Sequence, residues 1–155
     1  MREFVELDEL YPLIKEVIES GGDFRLYPRG TSMEPLIHAG RDSIILRAVD
    51  EIENGDILFY RRTNGNFVVH RLIKKHKDEY IMCGDNQTTL EYGIKREQIL
   101  AKVVAYYSGE EYRSFDTPEY KKYVKKRLAR FPFYRTNQKI YNFLRSVKRK
   151  LIKKG

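Results

Sequence analysis

The sequence predicts a mainly β domain with a helix at its N-terminus and a basic helical tail at its C-terminus. Apolar residues recur at helical spacing over residues 8–20, and short runs rich in β-branched and aromatic residues follow over residues 24–107. Helical spacing then returns in a segment rich in Lys and Arg. We therefore expect three regions: an N-terminal amphipathic helix (1–23), a β domain (24–116) and a basic helical extension (117–155).

The first predicted element is a short helix over residues 8–20. Asp8 is placed to cap it, and the glycine pair after Ser20 ends it. Pro12 falls in the first turn, where its missing N–H costs least. The apolar face consists of Leu10, Leu13, Ile14, Val17 and Ile18.

Six short runs separated by turn signals predict the strands of the β domain. The dipeptide Asn64-Gly65 predicts a hairpin that joins residues 57–62 to residues 67–73. Alternation along the second of these strands places His70 on an otherwise apolar face. The runs are FRLY (24–27), SIIL (43–46), DILFYR (56–61), NFVVHRLI (66–73), EYIMC (79–83) and ILAKVVAYY (99–107).

The predicted tail begins with Thr117 as a cap and Pro118 at the first helical position. We expect that helix to break at residues 131–133 and to resume from Thr136. The second piece carries an apolar stripe formed by Ile140, Phe143, Leu144, Val147 and Leu151, with Lys and Arg on the other face.

Charge is divided unequally between the tail and the rest of the chain. Residues 119–155 contain 14 Lys and Arg and one acidic residue, whereas the rest of the chain contains 16 basic and 21 acidic residues. Four roles fit such a tail: it could pack its apolar stripe on the body, bind an anionic membrane surface, hold an acidic precursor segment, or bind nucleic acid. Nucleic acid is the least favoured of the four, because no nucleic-acid-reading motif accompanies the charge.

Composition restricts the compartment and the cofactors. Cys83 is the only cysteine, so an internal disulfide is excluded. No window approaches the roughly 18 apolar residues of a membrane span, and the N-terminus is acidic where a signal peptide would be basic. We expect a cytoplasmic protein, with the basic tail allowing a peripheral position at the inner face of the membrane. The scattered histidines and lone cysteine predict no metal site.

A serine and a histidine are candidates for nucleophilic chemistry. Ser32 lies in the stretch RGTSMEPLI, where small residues surround it and Pro35 follows. A serine in such a turn is most often only a turn residue, and it needs a base to become a nucleophile. His70 is the candidate base, although a core histidine bonded to a backbone carbonyl is the commoner case. Cys83 ends an apolar strand and is interpreted as a packing residue.

A third stretch, CGDNQTTLEYG at residues 83–93, places two carboxylates on one loop. A base histidine needs an acceptor that holds its tautomer and stabilises its protonated form. Either Asp85 or Glu91 can serve, and a simple turn explains Asp85 equally well.

Four stretches in chain order carry a resemblance to a known family: GTSMEPLIHAGRDSIIL, ENGDILFYRR, VVHRLI and GDNQTTLEYG. They resemble the successive sequence boxes of the type I signal peptidase superfamily of S24/S26-type serine peptidases, over residues of about 24–107. Histidine stands where many bacterial members have lysine, so the match is closest to the Ser-His branch. The resemblance implies a signal-peptidase-like β core for residues 24–116.

The resemblance also implies roles for individual residues. Ser32 would be the nucleophile and His70 the general base, and Glu91 would be the third member, at a place normally held by aspartate. Asp85 is the alternative support for the base. The Ser32 backbone N–H would stabilise the oxyanion. Gly30 stands where many relatives have a serine that supplies a second donor, so the Thr31 hydroxyl or another backbone N–H would take that place. Met33 and Pro35 would shape the apolar floor of the substrate site.

The expected function is that of a serine endopeptidase that removes a leader or signal-like segment from a peptide or protein precursor. Its chemistry would need no metal or organic cofactor. Because the sequence lacks the membrane anchor usual before the serine box, an intracellular precursor is the expected substrate. One alternative is a non-catalytic peptide-binding adaptor. Another, less favoured, is a self-cleaving regulator similar to the repressor proteases of the superfamily, which use a serine–lysine pair and carry a preceding DNA-binding domain.

Overall fold

A computed structural model describes residues 5–153, in which one helix precedes an eight-stranded antiparallel sheet along the chain and two helices follow it. The mainly β class, with its N-terminal helix and C-terminal helical stretch, is confirmed. The elements are α1 (Leu7–Glu19), β1 (Phe24–Leu26), β2 (Ser43–Arg47), β3 (Ile57–Arg61), β4 (Phe67–His76), β5 (Glu79–Cys83), β6 (Glu91–Lys95), β7 (Ile99–Ser108), β8 (Glu111–Ser114), α2 (Pro118–Ala129) and α3 (Phe131–Lys153). The strands lie in the order β1-β2-β7-β3-β4-β5-β6, and β8 pairs with β7.

Alternating side chains divide the interior into clusters on the two faces of the sheet. The largest cluster joins Ile14 and Ile18 of α1 to one face, where Ile57 and Phe59 are buried. A second cluster contains Leu58 and other residues of the opposite face. The third cluster, termed the tail-side core, consists of Ile73, Ile81, Cys83 and Leu90, with Leu128, Phe131 and Tyr134 packed against it.

The predicted hairpin is present as β3 and β4. Leu58 lies opposite His70, and Arg61 lies opposite Phe67. Because side chains alternate along a strand, Tyr60 and His70 share one face and are diagonal neighbours across the pair. This register brings a tyrosine hydroxyl next to the candidate base.

Two expectations about helix ends are wrong. Asp8 does not cap α1, because the cap position falls on Glu6 and Asp8 lies in the first turn, where it pairs with Arg61 at 2.8 Å. The second tail helix begins at Phe131 and not at Thr136. Pro132 is compatible with this start because the first turn of a helix needs no N–H donor.

Two strands escape the sequence prediction. Residues 91–95 form β6, which pairs with β5, instead of continuing the loop that begins after Cys83. Gly93 has a φ of 76° and weakens the strand pattern of EYGIK. The short β8 is largely exposed, so it lacks an apolar alternation to reveal it.

The tail follows the prediction at its start and departs from it further on. The Thr117 side chain accepts a hydrogen bond of 3.2 Å from the backbone N–H of Tyr120, as expected of a cap. The stripe from Ile140 to Leu151 is exposed, so packing on the body, one of the four roles open to the tail, does not occur. Among residues 5–153, no helix has the length and apolar character needed to cross a lipid bilayer.

Candidate active site

Ser32 lies in a compact turn between β1 and β2. The turn is closed by hydrogen bonds from the Glu34 N–H to the Thr31 carbonyl and from the Ile37 N–H to the Met33 carbonyl. Within residues 5–153, neither the backbone N–H nor the hydroxyl of Ser32 makes a hydrogen bond. Both donors of this residue are therefore available to a ligand.

The turn after β5 holds the Ser32 turn in place. The backbone N–H of Asn86 donates to the Ser32 carbonyl at 2.9 Å, and the Asn86 side chain donates to the Thr31 carbonyl at 3.1 Å. Gly84 lies so close that a Cβ atom at this position would be 2.5 Å from the Ser32 carbonyl oxygen. The chain thus requires glycine here for two distant turns to meet.

His70 is buried in β4, with 4% of its surface exposed, beside Tyr60 and Glu91. Its Nδ1 atom lies 3.3 Å from the Tyr60 hydroxyl oxygen and 4.0 Å from Oε2 of Glu91. The Tyr60 hydroxyl donates to the same Oε2 atom at 2.8 Å. Arg62 donates two further hydrogen bonds of 2.8 Å, one to each oxygen of Glu91.

These contacts determine which nitrogen of His70 carries the proton. Burial alone would raise the pKa of Glu91, but hydrogen bonds from Arg62 and Tyr60 outweigh it and hold that pKa below its usual value. Burial, reinforced by Glu91, raises the pKa of Tyr60. A protonated Tyr60 donates its hydrogen to the Glu91 carboxylate, so its oxygen can only accept a hydrogen bond from a protonated Nδ1. The Nε2 atom of His70 is left with its lone pair.

The buried imidazole should make stability depend on pH. Burial lowers the pKa of His70 to about 4, whereas an unfolded histidine has a pKa of about 6.5. The unfolded chain therefore binds the proton first, so the stability contribution is complete above pH 6.5 or so and is lost as the pH falls towards 4. Between about pH 7 and about pH 5 we expect the free energy of unfolding to drop by about 2 kcal/mol in urea titrations. His70→Asn should show no such drop, and an equal drop in both proteins would assign it to another group.

Ser32 and His70 are not joined by a hydrogen bond within the described residues. His70 lines a cleft of about 510 Å³ together with Arg62, Glu91 and residues 86–90. Ser32 does not line this cleft, but its carbonyl is bonded to Asn86, which does. Ser32 is therefore held next to the cleft by a backbone hydrogen bond to one of the residues that line it.

Asp85 and Glu91, the two candidate supports for His70, have different surroundings. Asp85 accepts two hydrogen bonds of 2.7 Å from the fully buried Arg71 and one of 2.8 Å from the Tyr123 hydroxyl. Its backbone carbonyl accepts a hydrogen bond of 2.8 Å from Arg127. Asp85 therefore ties α2 to the loop, while Glu91 is the carboxylate beside His70.

The remaining predicted residues occupy varied environments. Met33 is buried in the largest cluster and Pro35 is exposed, so contact of either with substrate stays a prediction. Thr31 is exposed and donates no hydrogen bond within the described residues. Cys83 is buried, and burial raises the pKa of its thiol to about 11. Within residues 5–153 no cluster of three or more His, Cys, Asp or Glu is arranged to hold a metal ion.

Sequence reasoning missed two residues that shape this site. Tyr60 was recognisable in principle, because the hairpin turn at Asn64-Gly65 fixes the register that makes it a diagonal neighbour of His70. Arg62 follows β3 directly and gave no signal of its own, because charged residues at strand ends are usually solvated.

Comparison with known proteins identifies the family of this chain. Residues 2–104 match the Peptidase S24-like family, and the chain belongs to that family. This confirms the superfamily that the four sequence stretches indicate.

Similar curated proteins are named as repressors. The chain is 31% identical to the LexA repressor of Lactiplantibacillus plantarum over 103 residues, which cover 66% of this chain and 49% of the relative. It is 27% identical to the LexA repressor of Leuconostoc citreum over 103 residues, covering 66% and 48%. The chain thus spans about half the length of the curated relatives it matches.

Proposed function

We propose that the protein is a serine endopeptidase that uses Ser32 and His70 to cleave a leader or signal-like segment from a precursor. The observation that carries the proposal is the hydrogen bonding of His70. Its Nδ1 atom is paired with Tyr60, and among the described residues no group bonds its Nε2 atom, which can therefore accept a proton. A neutral imidazole with that nitrogen free is the form a general base needs.

The reaction begins when Ser32 Oγ attacks the scissile carbonyl and Nε2 of His70 takes its proton. The Glu91 carboxylate, 4.0 Å from the ring, stabilises the imidazolium through Tyr60. His70 then gives the proton to the leaving amine as the C–N bond breaks. Water, deprotonated by His70, then attacks the acyl-enzyme ester, and His70 returns that proton to Ser32 Oγ as the ester C–O bond breaks and the acid product leaves. Each step moves one proton between His70 and a reacting group.

The unbonded N–H of Ser32 is the proposed donor to the oxyanion. Asn86 contributes by holding the Ser32 carbonyl, which keeps the turn rigid. Thr31 is proposed as the second donor. Catalytic hydrogen bonds in substrate-free enzymes are often long and shorten when substrate binds. The mechanism therefore requires that substrate binding bring Ser32 Oγ to Nε2.

Tyr60→Phe tests the proposed role of the Tyr60 hydroxyl. The variant leaves Nδ1–H of His70 without its partner in a buried site, so the favoured tautomer is no longer fixed. We expect kcat to fall by about 10²-fold or more, with a smaller change in KM. Steady-state kinetics on a cleaved peptide measures both constants.

The matched control is Tyr80→Phe, which removes another hydroxyl from the same cluster. Tyr80 makes no side-chain hydrogen bond within the described residues, so kcat should stay within about twofold of the wild type. Equal losses in the two variants would attribute the effect to packing and remove Tyr60 from the mechanism.

The experiment that tests the function is cleavage of a peptide library that includes precursor-like sequences with small residues near the expected cut. Wild type and Ser32→Ala are incubated in parallel and read by mass spectrometry. Cuts made only by the wild type support the endopeptidase. No cuts in either protein contradict it.

Two observations favour alternative functions, and the same experiment separates them. The missing hydrogen bond between Ser32 and His70 within the described residues favours a peptide-binding adaptor, which would retain peptides uncut in both proteins. The similarity to LexA repressors favours a self-cleaving regulator. Under this alternative the wild-type chain would cut itself during long incubation and its intact mass would disappear from the spectrum. The intact mass of Ser32→Ala would persist.

A further inference from the structure

Helix α3 exposes an apolar stripe over most of its length. The side chains of the stripe are between 38% and 67% exposed. They are Ile140, Phe143, Leu144, Val147 and Leu151. The helix has 23 residues and is therefore about 35 Å long at 1.5 Å per residue. A stripe of this length exceeds the scattered single apolar residues that soluble surfaces normally show.

The stripe lies on the side of α3 that faces away from the body. Phe131 and Tyr134 are the residues of α3 that pack on the tail-side core. At 3.6 residues per turn, their mean direction is roughly opposite to that of the stripe. Binding of a partner to the stripe therefore requires no rearrangement of the folded body.

The charge of α3 restricts the partner. The helix contains seven basic residues and no acidic residue. They are Arg135, Lys139, Arg145, Lys148, Arg149, Lys150 and Lys153. Lys148 and Lys150 border the stripe, where long aliphatic stems can lie along apolar surface with the charge at its edge.

We propose that α3 binds the surface of an anionic phospholipid bilayer, with the stripe in the boundary between headgroups and acyl chains. An apolar face opposite a Lys- and Arg-rich face, on a helix too polar to span the bilayer, is the pattern of interfacial helices. Anionic headgroups attract each nearby basic side chain. A second copy of the chain fits less well, because Lys148 and Lys150 border the stripe and would bring like charges into the interface. The proposal goes beyond the peptidase function and does not depend on it.

The test is flotation of the full chain with lipid vesicles in low and high salt. One set contains phosphatidylglycerol and phosphatidylcholine in equal parts, and the other contains phosphatidylcholine alone. Three proteins are compared: wild type, Phe143→Ser/Leu144→Ser, and the control Leu13→Ser. Leu13 lies on α1 and is 50% exposed, close to the 59% of Leu144, but it lies outside the stripe.

We expect the wild type to float with the anionic vesicles, and less so in high salt. The double variant should bind at least about tenfold more weakly, because two side chains no longer enter the apolar boundary. Leu13→Ser should bind like the wild type. The proposal is overturned if the wild type stays at the bottom of the gradient or floats equally with phosphatidylcholine alone. It is also overturned if the double variant binds as well as the wild type.

Discussion

Replacing Ser32 with alanine is expected to lower kcat on a cleaved peptide by a factor on the order of 10⁴ or more. The variant removes the attacking oxygen, and only binding and the oxyanion donor remain. The fold should be preserved, because the Ser32 hydroxyl makes no hydrogen bond within residues 5–153 and the carbonyl that Asn86 holds is retained. His70→Ala should cause a loss of the same order.

The combination of the two variants is the sharper measurement. Residues that act as one unit give strongly non-additive losses, so Ser32→Ala/His70→Ala should be about as slow as either single variant. Ser108→Ala removes another half-buried serine, at the end of β7, and is the neutral control. Undiminished hydrolysis by either single variant would overturn the assignment.

The second large effect is expected for stability, at the buried pair of Arg71 and Asp85. Asp85→Asn should lower the free energy of unfolding by about 3–5 kcal/mol, because it leaves a fully buried guanidinium without its counter-charge. Denaturant titration measures the loss. Joint replacement by apolar residues, Arg71→Met/Asp85→Leu, should recover much of it, since no unpaired charge then remains.

The chain offers a matched control for this pair. Arg47 donates two hydrogen bonds of 2.8 and 2.7 Å to Asp23, so the geometry is nearly the same, but both side chains are exposed. Asp23→Asn should cost less than about 1 kcal/mol, because water screens exposed pairs. If Asp85→Asn costs no more than Asp23→Asn, burial does not set the strength of the pair.

The sequence allowed six of the eight strands and the hairpin to be predicted, because these follow from local alternation and turn residues. From the residues alone Asp85 and Glu91 were both candidate partners of His70, and the family resemblance favoured Glu91. The hydrogen bonds around Asp85 could not be predicted in the same way. These bonds join Asp85 to Arg71, which is 14 positions away along the chain, and to Tyr123, which is 38 positions away. One signal was present: alternation places Arg71 on an apolar face with Val69 and Ile73, and a buried arginine requires a partner.

The exposed stripe was predicted to exist but not to face outwards. Its apolar residues have the spacing of any amphipathic helix. That spacing alone does not show whether the apolar face packs on the protein interior or faces a membrane or solvent. The deciding contacts belong to Phe131 and Tyr134, which pack on the tail-side core and turn the stripe away from it.

The contacts of α2 with Asp85 have a consequence for where this protein can be divided. The family match ends at residue 104, and composition suggests a boundary near residue 116. A chain cut at either position would lose the Tyr123 hydroxyl and the Arg127 guanidinium, which hydrogen-bond to Asp85. Asp85 lies in the turn after β5, and the next residue, Asn86, holds the Ser32 turn. In evolutionary terms, an extension that supplies such contacts is no longer an independent module. If relatives exchanged the tail, the loop around Asp85 would have to be exchanged with it, because the tail supports that loop.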